Sequence, residues 1–599
     1  MTNPLLSDRD VDFLLYEVLD AEGLCALPDF EGYNRETFDL VLGNARRLAR
    51  EVLFPAFQPM DAEPPSLAGG RVRVHPRMRE LYPAMVAQGY IAATRPAAVG
   101  GAQLPHLVSG MATAYLMAAN AAAYAYLGLT TGAAHLIEAF GSDWLRETFM
   151  RPMYEGRYTG TMALTEPHAG SSLGDITTRA TPQADGSFRV QGSKVFISGG
   201  DHDLTENIVH LVLGRVDGAP PGVRGVSLFA VPRLRPEGGR LVANDAHATG
   251  VFHKMGWKGL PSIALNLGDE GDCLGWLVGP EGRGLACMFQ MMNEARIMVG
   301  INATATASAA YQESLAYAQS RPQGRSLGGR GDGPMVPIIE HADVRRMLLR
   351  QKAIVEGSLA LLATASRYSD LAGHSADDDA KREAQRMLDL LTPLAKSFPA
   401  ERGFESNTLA VQIHGGYGYT SEYLPEAWLR DQKLNTIHEG TTGIQAMDLL
   451  GRKVMAEGGA ALMAFGATVG AAIAEAREAG VEARWCDELG AAVESVGALT
   501  MELGEKGMAG DREGMLRHAT DYLDLMGTVV VAWQWLAMAT AATRGLKGLG
   551  GEGEGADFYR GKLAAARYWY ANELPRAALL VARIREADGS YAEAKAEWF

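Results

Sequence analysis

The chain has 599 residues, 47% of them apolar and 21% charged, with a formal net charge of -15. That length predicts three or four domains with large cores, and the composition is that of a soluble globular protein. The acidic balance disfavours a partner held through its phosphates, so no nucleic acid is expected as a ligand.

The opening MTNPLLSDRDVDFLL puts acidic residues ahead of its apolar run and has no basic start, unlike a secretory signal. From about Arg35 to Glu155 the pattern is helical and alanine-rich, as in MATAYLMAANAAAYAYLGL, which predicts an N-terminal helical domain over 1–156. After Gly156 short strand-like runs follow, with turn residues between them: SFRVQ, then Gly192 and Ser193, KVFIS, IVHLVLGRV and GVSLFAVP. Alternation at Val209, Leu211 and Leu213 and the turn pair Asp185-Gly186 predict a β domain over 157–282. Helical periodicity returns from Gly284. In DVRRMLLRQKAIVEGSLALL, Val344, Met347, Leu348, Ile354, Val355, Leu359 and Leu362 share one face, so 283–455 is expected to be a bundle of long antiparallel helices. Arg321 to Pro334 reads as a glycine-rich loop inside it. A separate helical domain is expected over 456–599. Within it, Leu525 to Ala542 has eighteen residues without a charge, the lower limit for a membrane span. Gly527, Thr528, Gln534 and two central tryptophans predict a buried bundle helix instead, and no integral membrane segment is expected. The C-terminal AEWF is no recognised address signal.

Several common engines are missing. Cys25, Cys273, Cys287 and Cys486 show no Cys-x-x-Cys spacing, which predicts neither zinc nor a disulfide framework and makes a reducing cytoplasm the expected compartment. There is no phosphate loop and no H-E-x-x-H, and no metal site is expected. GLGGEG at 548–553 follows a helical segment, so it is not read as a dinucleotide loop. GSSLG at 170–174 is not set between a strand and a helix, so Ser172 is not read as a nucleophile.

What remains is an ordered set: TMALTEPHAGSS (161–172), KVFISGG (194–200), MNEARIMVG (292–300), QIHGGYGYTSEYLPEAWLRD (412–431) and NTIHEGTTGIQ (435–445). In sequence and spacing it resembles the acyl-CoA dehydrogenase family over most of 35–455. The extra C-terminal helices resemble the family's long subgroup, which includes an enzyme for a sulfur-containing acyl-CoA. The resemblance implies an α+β, mainly α fold: an N-terminal helical domain, a middle β-barrel domain, a helical bundle and an extra C-terminal helical domain. It also implies FAD-dependent conversion of an acyl-CoA to its trans-2-enoyl-CoA, a homodimer, and electron-transferring flavoprotein as acceptor.

Residue by residue, Glu439 stands where the family's glutamate base stands, and Gly440 allows close backbone approach beside it. Apolar Ile437 and Ile444 suit a base whose pKa must rise. His438 stands at a family position, often tyrosine, that borders the acyl pocket, where it would either tune the base or shape the pocket. Met162, Leu164 and Thr165 resemble the segment that meets the flavin ring, Ser198 a second ring contact, and Phe196 the aromatic over the flavin, where many relatives carry tryptophan. Gln412, Gly415 and Gly416 resemble the segment that reaches the FAD of a neighbouring subunit, Thr441 the threonine near the adenosine part of FAD, and Arg321 the arginine on the FAD pyrophosphate. Ser171, Asn293 and Arg296 match positions that meet CoA. The chain departs from the family pattern at Gly324 (for phenylalanine), Ala427 (for a basic residue), Gly443 (for a polar one) and Ser172 (for aspartate). Two rivals share these residues. An acyl-CoA oxidase would yield peroxide, and a non-enzymatic flavoprotein would bind DNA, against which the acidic region after Ala456 argues.

Overall fold

The structure, a computed structural model, describes residues 3–326, 333–553 and 555–599, with only the backbone of 289–292. The centre of the expected Arg321–Pro334 loop, 327–332, lies outside the described residues. The chain packs into two compact units that interleave in sequence. One takes 41–104 and 115–295, the other 3–40, 105–114 and 296–599.

The first unit holds an eight-stranded sheet. Its strands are β1 (Tyr158–Ala163), β2 (Arg179–Pro182), β3 (Phe188–Ser198), β4 (Asn207–Val216), β5 (Val226–Pro232), β6 (Ala246–Val251), β7 (Ser262–Leu267) and β8 (Leu274–Val278). They run in the order β6-β7-β3-β8-β5-β4-β1, and β2 pairs with both β3 and β4, which closes a ring of strands as in a barrel. β1 and β2 each pair with β4 in parallel, and the remaining pairs are antiparallel. Two apolar clusters, one with Leu211 and Leu228 and the other with Val212 and Phe229, fill opposite faces of β4 and β5, as period-two alternation requires.

SFRVQ and KVFIS, read as separate strands, form one. Gly192 and Ser193 stay in register with Leu267 and Asn266. Gly192 is there for closeness, because a Cβ would lie 2.4 Å from the Thr178 hydroxyl. Asp185-Gly186 does turn the chain: Gly186 has φ +85°, and the Ser187 N–H donates to the Asp185 carboxylate at 3.0 Å.

The second unit is helical. Its long helices are α1 (Ala342–His374), α2 (Asp378–His414), α3 (Ala460–Ala479), α4 (Ala483–Met508) and α5 (Ala519–Gly548), and the helix Gly284–Ser320 enters it at Arg296. α1 is buried on all sides from Ala353 to Ser366, rather than along one face. The C-terminal helices cover its polar side and partner it: Glu356 pairs with Lys562 at 2.9 Å, and the Thr364 hydroxyl donates to Gln534 at 2.9 Å. α5 is the apolar segment tested above. With 89% of its most apolar window buried, it is a core helix. Its Trp535 donates to the Ala353 carbonyl at 3.1 Å, and Gly357 is the gap that admits that ring. The helical stretch 456–479 is equally apolar, with 22% of its window buried.

Candidate functional site

In the sheet unit the chain leaves β1 at Ala163 and enters a loop that carries Leu164, Thr165 and Ser171. Glu166 nails this loop to β3. Its carboxylate accepts the N–H groups of Thr177 and Thr178 at 2.7 and 3.0 Å, both their hydroxyls, and the Lys194 ammonium at 2.8 Å. Lys194 also donates to the Leu164 carbonyl at 3.1 Å, and the Val195 N–H to the Thr165 carbonyl at 2.9 Å. Burial opposes the Glu166 charge, yet Lys194 and the threonine donors outweigh it and hold the carboxyl at about 2. Burial pulls Lys194 the other way, to about 8, against the attraction of Glu166.

The next residue but one is Phe196. Ile263 and Leu265 of β7 face Ile197 and Lys194 of β3, so one residue of β7 opposes two of β3. This bulge gives Phe196 a left-handed φ of +60° and turns its ring outward, 62% exposed, where it leans on Phe252 with ring centres 4.6 Å apart. Met162, Ser198 and Asn293 are half-buried and Ser171 is exposed. The unit thus presents an exposed aromatic ring beside a loop that Glu166 and Lys194 hold in place.

In the helical unit, Glu439 sits in a turn between Ile437 and the short helix Thr442–Asp448, which Thr441 caps by accepting the Ile444 N–H at 3.4 Å. Glu439 has φ +53° and Gly440 φ +88°, two consecutive left-handed residues. For a glutamate this costs about 1 to 2 kcal/mol. Side chains fasten the turn: the Gln445 amide donates to the Glu439 carbonyl at 3.0 Å, Lys396 to the Gly440 carbonyl at 2.8 Å, and the Thr442 hydroxyl to Glu401. The Glu439 N–H makes no hydrogen bond among the described residues. Burial raises the Glu439 carboxyl above its ordinary value, and the charges of Lys396 and Arg296 oppose the rise. Burial holds neighbouring His438 neutral, at about 3. Ile437 and Ile444, expected as apolar walls, are 55% and 38% exposed, so they lie at the open side of the turn. Arg296 has a partner within the fold: 3% exposed, it pairs with Asp448 at 2.7 Å.

The same unit holds a cavity of about 400 Å³ whose lining includes Arg321, His414, Gly415, Gly416 and Tyr417. Arg321 lies over the Tyr417 ring, 5.6 Å from its centre. His414 stacks on Tyr317 at 4.2 Å and gives its Nδ1 proton to the Ala410 carbonyl, while its buried Nε2 has no partner among the described residues. Gly415, with φ +60° and ψ -136°, adopts a conformation open to glycine alone, which lets the chain leave α2 sharply. Exposed Gln412 stands on the last turn of that helix. Arg321, Gly415 and Gly416 therefore line one concave, cationic and aromatic surface, as a phosphate-bearing nucleotide requires.

Two departures from the family pattern have local causes. At Gly324 the φ of +68° strains any side chain, and a Cβ would lie 3.1 Å from the His341 ring, so phenylalanine there would have to push that ring aside. Ala427 is 3% exposed, so a basic side chain there would be buried. The sequence reading missed Glu166, Lys194, His414 and Lys396. Glu166, Lys194 and His414 lie inside the motifs quoted and Lys396 lies outside them, where a charged residue within an apolar run was the available signal.

Four stretches match related protein families: 36–157 the acyl-CoA dehydrogenase N-terminal domain, 161–269 its middle domain, 282–454 its C-terminal domain, and 465–595 the acetyl-CoA dehydrogenase C-terminal-like domain. A 3-methylmercaptopropionyl-CoA dehydrogenase of Ruegeria pomeroyi is 36% identical over 93% of this chain and 94% of its own. A butyryl-CoA dehydrogenase of Syntrophomonas wolfei is 32% identical over 100% of this chain and 99% of its own. The crystal structure of a Bacillus anthracis acyl-CoA dehydrogenase complexed with FAD shares the fold, with a TM-score of 0.74 at 20% identity over 96% of this chain and 92% of that one.

Proposed function

Because the chain belongs to the acyl-CoA dehydrogenase family, we propose that Glu439 is the base that removes the α-proton of an acyl-CoA thioester on the way to the trans-2-enoyl-CoA. The protein is an FAD-dependent oxidoreductase acting on acyl-CoA. FAD, when bound, supplies the acceptor for the hydride that leaves the β-carbon.

The observation that carries the reading is the turn at Glu439: a carboxylate held in a left-handed conformation, with its pKa raised by burial. The α-proton of a thioester is a weak acid, so a base must be desolvated to approach it in strength, and a bound acyl chain excludes further water. Negative charge then builds on the thioester oxygen. The unpartnered Glu439 N–H is the donor this chain offers to it, and the absence of a side chain at Gly440 leaves the approach open. His438, neutral, shapes the acyl pocket.

The residues present fit FAD. Leu164, Thr165, Met162 and Ser198 would meet its ring system, with Phe196 as the exposed aromatic face. Arg321, Gln412, Gly415, Gly416 and Thr441 would hold a nucleotide end, where the orphan His414 Nε2 is a further polar group. Ser171, Asn293 and Arg296 would meet CoA, with Arg296 held by its pair with Asp448. A homodimer and electron-transferring flavoprotein as acceptor complete the proposal.

The test is an anaerobic titration of the purified flavoprotein with short, medium, branched and sulfur-containing acyl-CoA thioesters, following the flavin band. Bleaching by one class establishes the half-reaction and names the substrate. No bleaching by any of them, with flavin fully bound, overturns the reading. Peroxide yield in air separates a dehydrogenase from an oxidase.

A further inference from the structure

Lys396 lies on α2 in the run TPLAKSFPA, and its side chain is 0% exposed. An ammonium is costly to bury unless a carboxylate and good hydrogen bonds offset the lost water. Lys396 has the hydrogen bond, to the Gly440 carbonyl at 2.8 Å, but forms no ion pair among the described residues. For fold stability alone an uncharged donor would serve at lower cost, so the charge itself calls for a reason.

The surroundings supply it. Glu401 faces Lys396 from its own helix, Glu439 and His438 from the turn, and Arg296 from the helix Gly284–Ser320. Arg296 is neutralised by Asp448 at 2.7 Å. Glu401 accepts the Thr442 hydroxyl, so α2 grips the turn twice, through Lys396 on one side and Glu401 on the other. Besides Glu401, which also accepts the Thr442 hydroxyl, the carboxylate that attracts the Lys396 ammonium is that of Glu439. We propose that Lys396 is the positioning residue of this turn: it holds the Gly440 carbonyl so that Glu439 keeps its left-handed conformation, and its buried ammonium is the positive charge set beside the carboxylate of the base. The proposal rests on Glu439 being the base. Burial brings Lys396 itself down to about 8, so it remains charged at neutral pH.

Three holoenzyme variants separate charge from hydrogen bond: Lys396→Met removes both, Lys396→Gln keeps a neutral donor, and Lys396→Arg keeps both. Flavin content and melting temperature are recorded for each, and the rate of flavin reduction by the best acyl-CoA is measured against pH. The acid limb of that profile should move up by about one pH unit or more in the Met and Gln variants and stay near the wild-type position in the Arg variant. An acid limb at the wild-type pH in Lys396→Gln, with flavin fully bound, overturns the proposal. If the Met variant does not fold, the Gln and Arg pair still decides. Failure of the underlying reading looks different: Glu439→Gln would then reduce its flavin at the wild-type rate, whatever Lys396 does.

Discussion

Lys194 and Glu166 meet at 2.8 Å with side chains 0% and 2% exposed, and the same ammonium holds the carbonyl of Leu164 at 3.1 Å. An ion pair so deep contributes little net stability, but half of it is damaging to leave behind. Its value lies in fixing the segment proposed to meet the flavin.

Lys194→Met should therefore strand the Glu166 charge, cost about 3 to 5 kcal/mol and weaken FAD retention. Melting curves and flavin-to-protein ratio report both. The double variant Lys194→Met with Glu166→Gln should recover much of the stability. Because the folded Glu166 carboxyl is held down at about 2, its contribution is present above the ordinary value of 4.5 and is lost as pH falls towards about 2.

Glu439→Gln should keep flavin bound and slow flavin reduction by about 100- to 10,000-fold. In the wild type, the base must be ionised and its pKa is raised by burial. The reduction rate should then rise with pH through a midpoint above the ordinary carboxyl value of 4.5, as stopped-flow measurements across pH will show. A flat profile would contradict this.

Gly440→Ala places a Cβ 2.7 Å from the Gln445 amide at a φ of +88°. The left-handed conformation costs about 1 kcal/mol, and the Gln445 bond to the Glu439 carbonyl is displaced. Flavin content should hold while the reduction rate falls, because the damage is confined to the turn.

Asp370 accepts the N–H groups of His106 and Leu107 at 2.6 and 3.0 Å, capping a helix from a distant part of the chain. Burial pushes its carboxyl up to about 7 despite these bonds. A raised acid favours the folded state while protonated, so that contribution is complete below the ordinary 3.8 and lost as pH rises through about 7. Asp370→Asn should flatten the change in melting temperature across that window.

The sequence was read well where period and punctuation carry information. The switch from helix to strand after Gly156, the Asp185-Gly186 turn and the burial of Leu525–Ala542 all needed only local pattern. It was read less well where distant residues decide. The break expected at Gly192-Ser193 is absent because Gly192 makes room for Thr178, which stands just before another strand. The polar side of α1 is buried because Lys562 and Gln534 arrive to partner it. Motif residues such as Glu439 and Phe196 stand out by identity, whereas their left-handed conformations come from a bulge and from clamps many residues away. Lys396 and Lys194 were passed over because a lysine signals a surface until its partner is known.

The interleaving of the two units has a consequence for how the protein is made. The Asn3 amide donates to the Ala309 carbonyl at 2.9 Å, a partner 306 residues downstream, and Asp10 pairs with Lys562 at 2.6 Å. At about 5 to 20 residues per second, translation leaves the opening segment waiting roughly 15 to 60 seconds for the first of these. The sheet unit ends at Ala295 and can complete its own pairing in that interval. The buried ring of Phe13, which packs on Phe558, thus stays without its final partner long after the sheet unit has been made.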